Sequence, residues 1–141
     1  MDDTDVKVFD PDGDIRLVVY DRSADAPIKK TFVVESKIMS RASDAWKAML
    51  TGGFMESRPE PGREVELPED DPLALEVLLN IAHMRYHLVP EVLDFPVLVQ
   101  VTVLTDKYGA TGLLRPWYKL WLASVEKHLL DPGYEEWLWI A

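Results

Sequence analysis

The residue types that most often bind metals or attack substrates are scarce in this chain, which holds three histidines and no cysteine. His83 and His87 stand four apart, so on a helix they would share one face, as a two-histidine metal pair does. Glu76 falls on the same stripe. Zinc usually takes three or four protein ligands, and the spacing offers no third nearby, so the stripe reads better as a polar helix face. His128 stands alone. Asp10, Asp12 and Asp14 open like a calcium-binding loop, but the sixth position is Ile15 rather than glycine and the twelfth is Asp21 rather than glutamate. With Pro11 and Gly13 between them, they read as a tight turn. No serine sits in a G-x-S-x-G context, and no glycine-rich loop is placed to cradle phosphate. Glu69-Asp70-Asp71 reads as negative charge set against the positive end of a following helix. Phe54-Met55-Glu56, just past Gly52-Gly53, is different in kind. An aromatic anchor can enter an apolar pocket while a neighbouring carboxylate fixes register, which is the chemistry of holding a protein rather than of a reaction.

Composition narrows the classes of function. At 141 residues with 48% apolar side chains and five tryptophans, the chain is long and apolar enough for one folded domain with a real core. Its 25 acidic and 15 basic residues give a formal net charge of -10, which argues against nucleic acid and against anionic membrane surfaces. No run of about 18 apolar residues is present, so no membrane span is expected. The acidic start Met1-Asp2-Asp3-Thr4-Asp5 lacks the apolar stretch of a secretory signal. The lack of cysteine fits a reducing compartment, and an intracellular protein, cytoplasmic or nuclear, is expected. No cofactor is implied.

The elements that position these residues follow from pattern. After the turn at Asp10 to Asp14, Ile15 to Tyr20 reads as a strand and Lys30 to Glu35 as a second, paired with it as an antiparallel hairpin. Ser36 is placed to cap a short helix through Met39. Ala42 to Leu50 reads as a second helix with Ala42, Ala45, Trp46 and Met49 on its inner face, Ser43 near its start and Gly52-Gly53 at its end. Glu64 to Leu67 alternates as a short strand. Asp71 and Pro72 make an N-cap and first-turn pair, and the helix they open runs to about Arg85. Its polar positions Glu76, Asn80, His83 and His87 form one narrow stripe, so the helix should be central and buried. In Asp94 to Tyr108 the valines alternate like a strand. Asp94, Pro96 and Gly109 nevertheless mark a helix start and stop, and Val97, Val101, Leu104 and Tyr108 make a helical stripe, so a helix is predicted. Leu114 to Leu129 reads as a last helix with Trp117, Leu120, Trp121, Ser124 and Val125 on a shared face. Tyr134 to Ala141 begins a further amphipathic pattern and stops on Trp137 and Trp139, as in a fragment of a longer protein.

In this order the elements and motifs resemble a BTB/POZ domain, most like those of filamentous-fungal BTB proteins. The similarity begins at Gly13-Asp14-Ile15 and Leu17-Val18-Val19. It continues through Phe32, Val34, Ile38-Met39, Ser43, Trp46 and Met49 against the family pattern F-x-A-H-x-x-V-L-x-x-x-S-x-x-F-x-x-M. It resumes at Leu67-Pro68-Glu69-Asp70-Asp71-Pro72 and at Leu104-Thr105-Asp106-Lys107-Tyr108-Gly109. Glu35 stands where the family carries histidine. The long N-terminal extension exchanged between subunits in zinc-finger members has no counterpart here. The resemblance implies an α+β fold: a small sheet of three strands or slightly more, flanked by about five to six α-helices. The domain would span residues 9–129, with residues 130–141 opening a C-terminal helical extension. It further implies a non-enzymatic protein–protein interaction module that homodimerises, or acts as an adaptor to a cullin-type ubiquitin ligase through Phe54, Met55 and Glu56. The rival readings are an oligomerisation platform in a transcriptional or scaffold protein without cullin contact, and, from the histidine pair alone, a small metal-dependent enzyme.

Overall fold

The computed structural model describes residues 5–22, 25–51 and 63–126. It shows a mixed α+β architecture: a four-stranded sheet and, among the described residues, five α-helices. The strands are β1 (Asp5–Val8), β2 (Ile15–Asp21), β3 (Ile28–Val34) and β4 (Arg63–Glu66), in the order β1-β3-β2-β4. β2 and β3 form the expected antiparallel hairpin, with Leu17 opposite Phe32 and Ile15 opposite Val34. β1 joins β3 and β4 joins β2, both in parallel. β1 was not foreseen: four residues with every side chain exposed give no apolar pattern to read.

Alternation along β2 and β3 puts Ile15, Leu17, Val19, Phe32 and Val34 into one core with the helices. The turn before β2 forms as expected. The Gly13 N–H donates to the Asp10 carbonyl at 2.9 Å, and the Asp12 N–H to the Asp10 side chain at 2.8 Å. Gly13 is needed there, because a Cβ would lie 2.8 Å from the Val34 carbonyl oxygen and 2.6 Å from Val33 Cγ1. The side chains of Asp10 and Asp14 are therefore spent on local structure. Both Asp14 oxygens accept from Ser36, one from its N–H at 2.8 Å and one from its hydroxyl at 2.6 Å.

That contact changes the expected cap. α1 (Ser36–Ala42) is capped by Glu35, whose side chain accepts from the Lys37 N–H, while Ser36 is already helical and turned toward Asp14. α2 (Asp44–Thr51) buries Trp46 and Leu50 and half-buries Met49. Ala45 faces solvent, contrary to the expected stripe, because the buried face of α2 is centred on Trp46 and Leu50 and leaves Ala45 to one side.

α3 (Pro72–Ala82) runs through the middle, with Asp71 accepting from the Ala74 N–H at 2.9 Å as its N-cap. It ends before Arg85. His83 is its C-cap, and Met84 adopts φ of 60°, a left-handed conformation that no helix continues through. The Arg85 N–H then bonds back to the Asn80 carbonyl at 2.8 Å. A 3-10 turn, Tyr86–Leu88, follows. His87 is exposed in that turn, so the proposed four-apart histidine pair does not share a helical face.

α4 (Phe95–Tyr108) is the predicted helix, closed by Gly109 at φ of 62°. Val101, Leu104 and Tyr108 are buried and Val97 is half-buried. A 3-10 turn, Thr111–Leu114, leads into α5 (Arg115–Glu126), whose Trp121 is fully buried and donates from Nε1 to the Pro90 carbonyl at 2.8 Å. Leu120, expected on the inner face, is exposed. Among the described residues no helix is long and apolar enough to cross a membrane.

Candidate interaction site

Three stretches singled out in the sequence, Ser43 to Trp46, Leu67 to Pro72 and Asp106 to Tyr108, converge at the end of α4. Ser43 sits between α1 and α2 and serves both. Its N–H donates to the Met39 carbonyl at 3.1 Å, closing α1, and its hydroxyl oxygen accepts from the Trp46 N–H at 3.0 Å, opening α2. The same hydroxyl donates to the Tyr108 carbonyl at 2.6 Å, in the last turn of α4. The rings of Trp46 and Tyr108 lie beside each other with centroids 5.4 Å apart.

Tyr108 carries the junction further. Its hydroxyl donates to Asp70, whose other oxygen receives the Lys107 ammonium at 2.6 Å. Asp70 is almost wholly buried while Lys107 is half exposed, so the carboxylate is satisfied from inside by the phenol and from outside by the amine. Burial first, and the hydrogen bond to Asp70 second, push the Tyr108 phenol far above its ordinary value and keep it a donor. Asp70 therefore does more than charge a helix start. No sequence spacing signals its partners, which lie 37 and 38 residues away.

His83 is similarly spent. Nδ1 donates to the Leu79 carbonyl at 2.9 Å, and Nε2 accepts from the Glu35 N–H at 3.2 Å. This arrangement needs the neutral ring, and desolvation lowers the His83 pKa, consistent with it. With both nitrogens bonded to backbone, His83 has none left for a metal. Groups of three or more potential ligands do not occur among the described residues.

Phe54, Met55 and Glu56, the expected partner contact, lie outside the described residues. The elements bracketing them are joined: the Arg63 guanidinium at the start of β4 donates to the Leu50 carbonyl in the last turn of α2 at 2.9 Å. A cation at a helix C-terminus satisfies a carbonyl left without a helical partner. An apolar groove of about 360 Å³ lies between α1, the end of α3 and the start of α5, lined by Ile38, Ala42, Met84, Leu113 and Trp117. Met84 and Tyr86 project from its rim, and Tyr86 packs against Trp117 with centroids 5.3 Å apart. Sequence reasoning missed this groove, because Met84 leaves the helix only through its positive φ.

Compared with protein-family models and with curated proteins, the chain matches none.

Proposed function

We propose that this chain is a protein–protein interaction module of the BTB/POZ class, and that it acts as an adaptor through Phe54, Met55 and Glu56 to a cullin-type scaffold. The observation that carries the reading is the three-way junction at Ser43. The serine-to-tryptophan motif, the Leu67 to Pro72 segment and the Asp-Lys-Tyr segment are far apart in sequence, yet hydrogen bonds join Ser43 to Tyr108 and Asp70 to Lys107 and Tyr108. Residues that resemble one family's motifs thus serve one another's structure, as parts of a single fold would. The test of the partner contact is binding of a purified cullin N-terminal domain by the wild type and by Phe54→Ala and Glu56→Ala. Wild-type binding weakened about tenfold or more by each change supports it, since anchor residues of this kind carry about 1–3 kcal/mol. No binding by the wild type ends the ligase part of the proposal.

The groove beside α1 favours a second reading, an oligomerisation platform. Exposed Met84 and Tyr86 beside Ile38 and Trp117 make an apolar surface of the kind that a second copy covers. Sedimentation equilibrium comparing wild type with Ile38→Asp tests it. A wild type that stays monomeric at high concentration removes this reading.

A further inference from the structure

The apolar groove between α1, the end of α3 and the start of α5 continues along α5. Leu120 stands nearly one turn past Pro116 and Trp117, which line the groove, and points between their two directions around the helix. It is exposed, as are Met84 and Tyr86 at the rim. Three large apolar side chains are thus left to water around one hollow, and Leu120 extends the apolar surface toward the C-terminal end of α5. The hollow itself, about 360 Å³, is more than twice the roughly 150 Å³ that holds a benzene ring, so it has room for an indole and a neighbouring aliphatic side chain.

Charge and reach indicate what fills it. Arg41 is the one charged residue in the lining. It is exposed in the last turn of α1 and meets no carboxylate among the described residues. The surface therefore suits a segment with apolar anchors and carboxylates beside them. The chain carries such a segment. Tyr134-Glu135-Glu136-Trp137-Leu138-Trp139-Ile140, outside the described residues, sets two carboxylates directly ahead of four large apolar side chains. From Trp117 to Glu126 is nine residues, about 14 Å of helix. The eleven residues from Glu126 to Trp137 span up to about 36 Å when extended, and Asp131-Pro132-Gly133 supplies a turn on the way back. A segment tethered so closely acts at an effective concentration in the millimolar range. A second copy must bring its whole charge of -10 up to the first, whereas the tethered segment brings Glu135 and Glu136 to a cation.

We propose that residues 134–140 dock in this groove of their own chain, with the tryptophans among Ile38, Leu113 and Trp117 and the glutamates facing Arg41. The domain would then cover its own apolar face. The proposal does not depend on the BTB or cullin reading, and it sets the tethered segment against a second copy for one surface.

The chain has no cysteine, so Ala141→Cys in the full chain carries a nitroxide at a single place. Methyl NMR spectra are recorded with the nitroxide oxidised and then reduced. The signals of Ile38, Met84 and Leu113 should be lost in the oxidised state and return on reduction, while those of Leu73 and Val92, which do not line the groove, persist. Trp137→Ala with Trp139→Ala, both outside the described core, should keep the groove signals intact. Arg41→Glu should recover them in part, since an exposed ion pair contributes little beside apolar burial, and adding Glu135→Lys and Glu136→Lys should bring the loss back. An equal mixture of nitroxide-bearing chain and isotope-labelled chain without nitroxide should show no loss. Undiminished groove signals in the intact chain, loss that spreads equally to Leu73 and Val92, loss that survives the tryptophan variant, or a reversed charge pair that fails to regain it overturns the proposal. Loss in the mixture also overturns it, and assigns the groove to a second copy.

Discussion

Replacing Ser43 by alanine removes one oxygen that serves two backbone groups. The Trp46 N–H loses its cap, which costs about 0.5–2 kcal/mol at helix starts. The Tyr108 carbonyl loses its donor in a buried site, and an acceptor stranded in this way costs about 1–3 kcal/mol. Ser43 is buried and its one oxygen serves both groups, so the two losses should largely add, giving about 2–4 kcal/mol. That is a large share of the roughly 5–15 kcal/mol that holds a typical domain together. At about 3–5 °C per kcal/mol for a chain of this size, the melting midpoint should fall by roughly 6–20 °C. Urea denaturation followed by tryptophan fluorescence measures the free-energy loss, and a thermal scan the midpoint. Ser43→Thr, which keeps the oxygen, should lose much less. A loss below about 0.5 kcal/mol for Ser43→Ala would show that the junction does not hold the two helices, and would refute the reasoning.

Three further outcomes are expected. Because the folded-state pKa of His83 is lowered, the unfolded chain binds the proton more readily; its contribution is complete above the ordinary value of 6.5 and is lost as pH falls from there through the folded value. Urea midpoints measured downward from neutral pH should therefore decline, and His83→Gln should flatten that decline. Asp70→Ala strands the buried Tyr108 hydroxyl and should cost about 1–3 kcal/mol, whereas Asp70→Asn keeps an acceptor and should cost less; equal losses in chemical denaturation would contradict the assigned bonds. Gly13→Ala drives a Cβ into the Val34 carbonyl and should cost about 1–3 kcal/mol by the same measurement; a neutral result would mean that the turn relaxes freely.

The parts legible in the sequence were those governed by local chemistry. Asp71 with Pro72 and Pro96 with Gly109 bounded α3 and α4 because caps and breakers act over one turn. In α4 these signals outweighed the alternating valines, whose strand preference is weak against a helix that buries Val101, Leu104 and Tyr108 together. What was not legible depends on distant partners. The end of α3 is set by Met84 turning left-handed and by Arg85 reaching the Val8 carbonyl, 77 residues away. Asp70 looked like surface charge until Lys107 and Tyr108 came to it. Asn80 looked like one member of a polar stripe, yet it is buried, and nothing in its neighbours announces that.

The bonds at the Ser43 junction also bear on the lifetime of the native state. Ser43 and Tyr108 are 65 residues apart, and Asp70 and Tyr108 are 38 apart, so each bond forms only after a long loop has closed. Closing loops of that length costs entropy that local contacts do not incur, which puts the junction among the slow-forming contacts of the fold. A bond present in the transition state lowers the rate of folding when it is lost, and one absent from it raises the rate of unfolding. The refolding and unfolding rates of Ser43→Ala therefore time the moment at which the three segments meet.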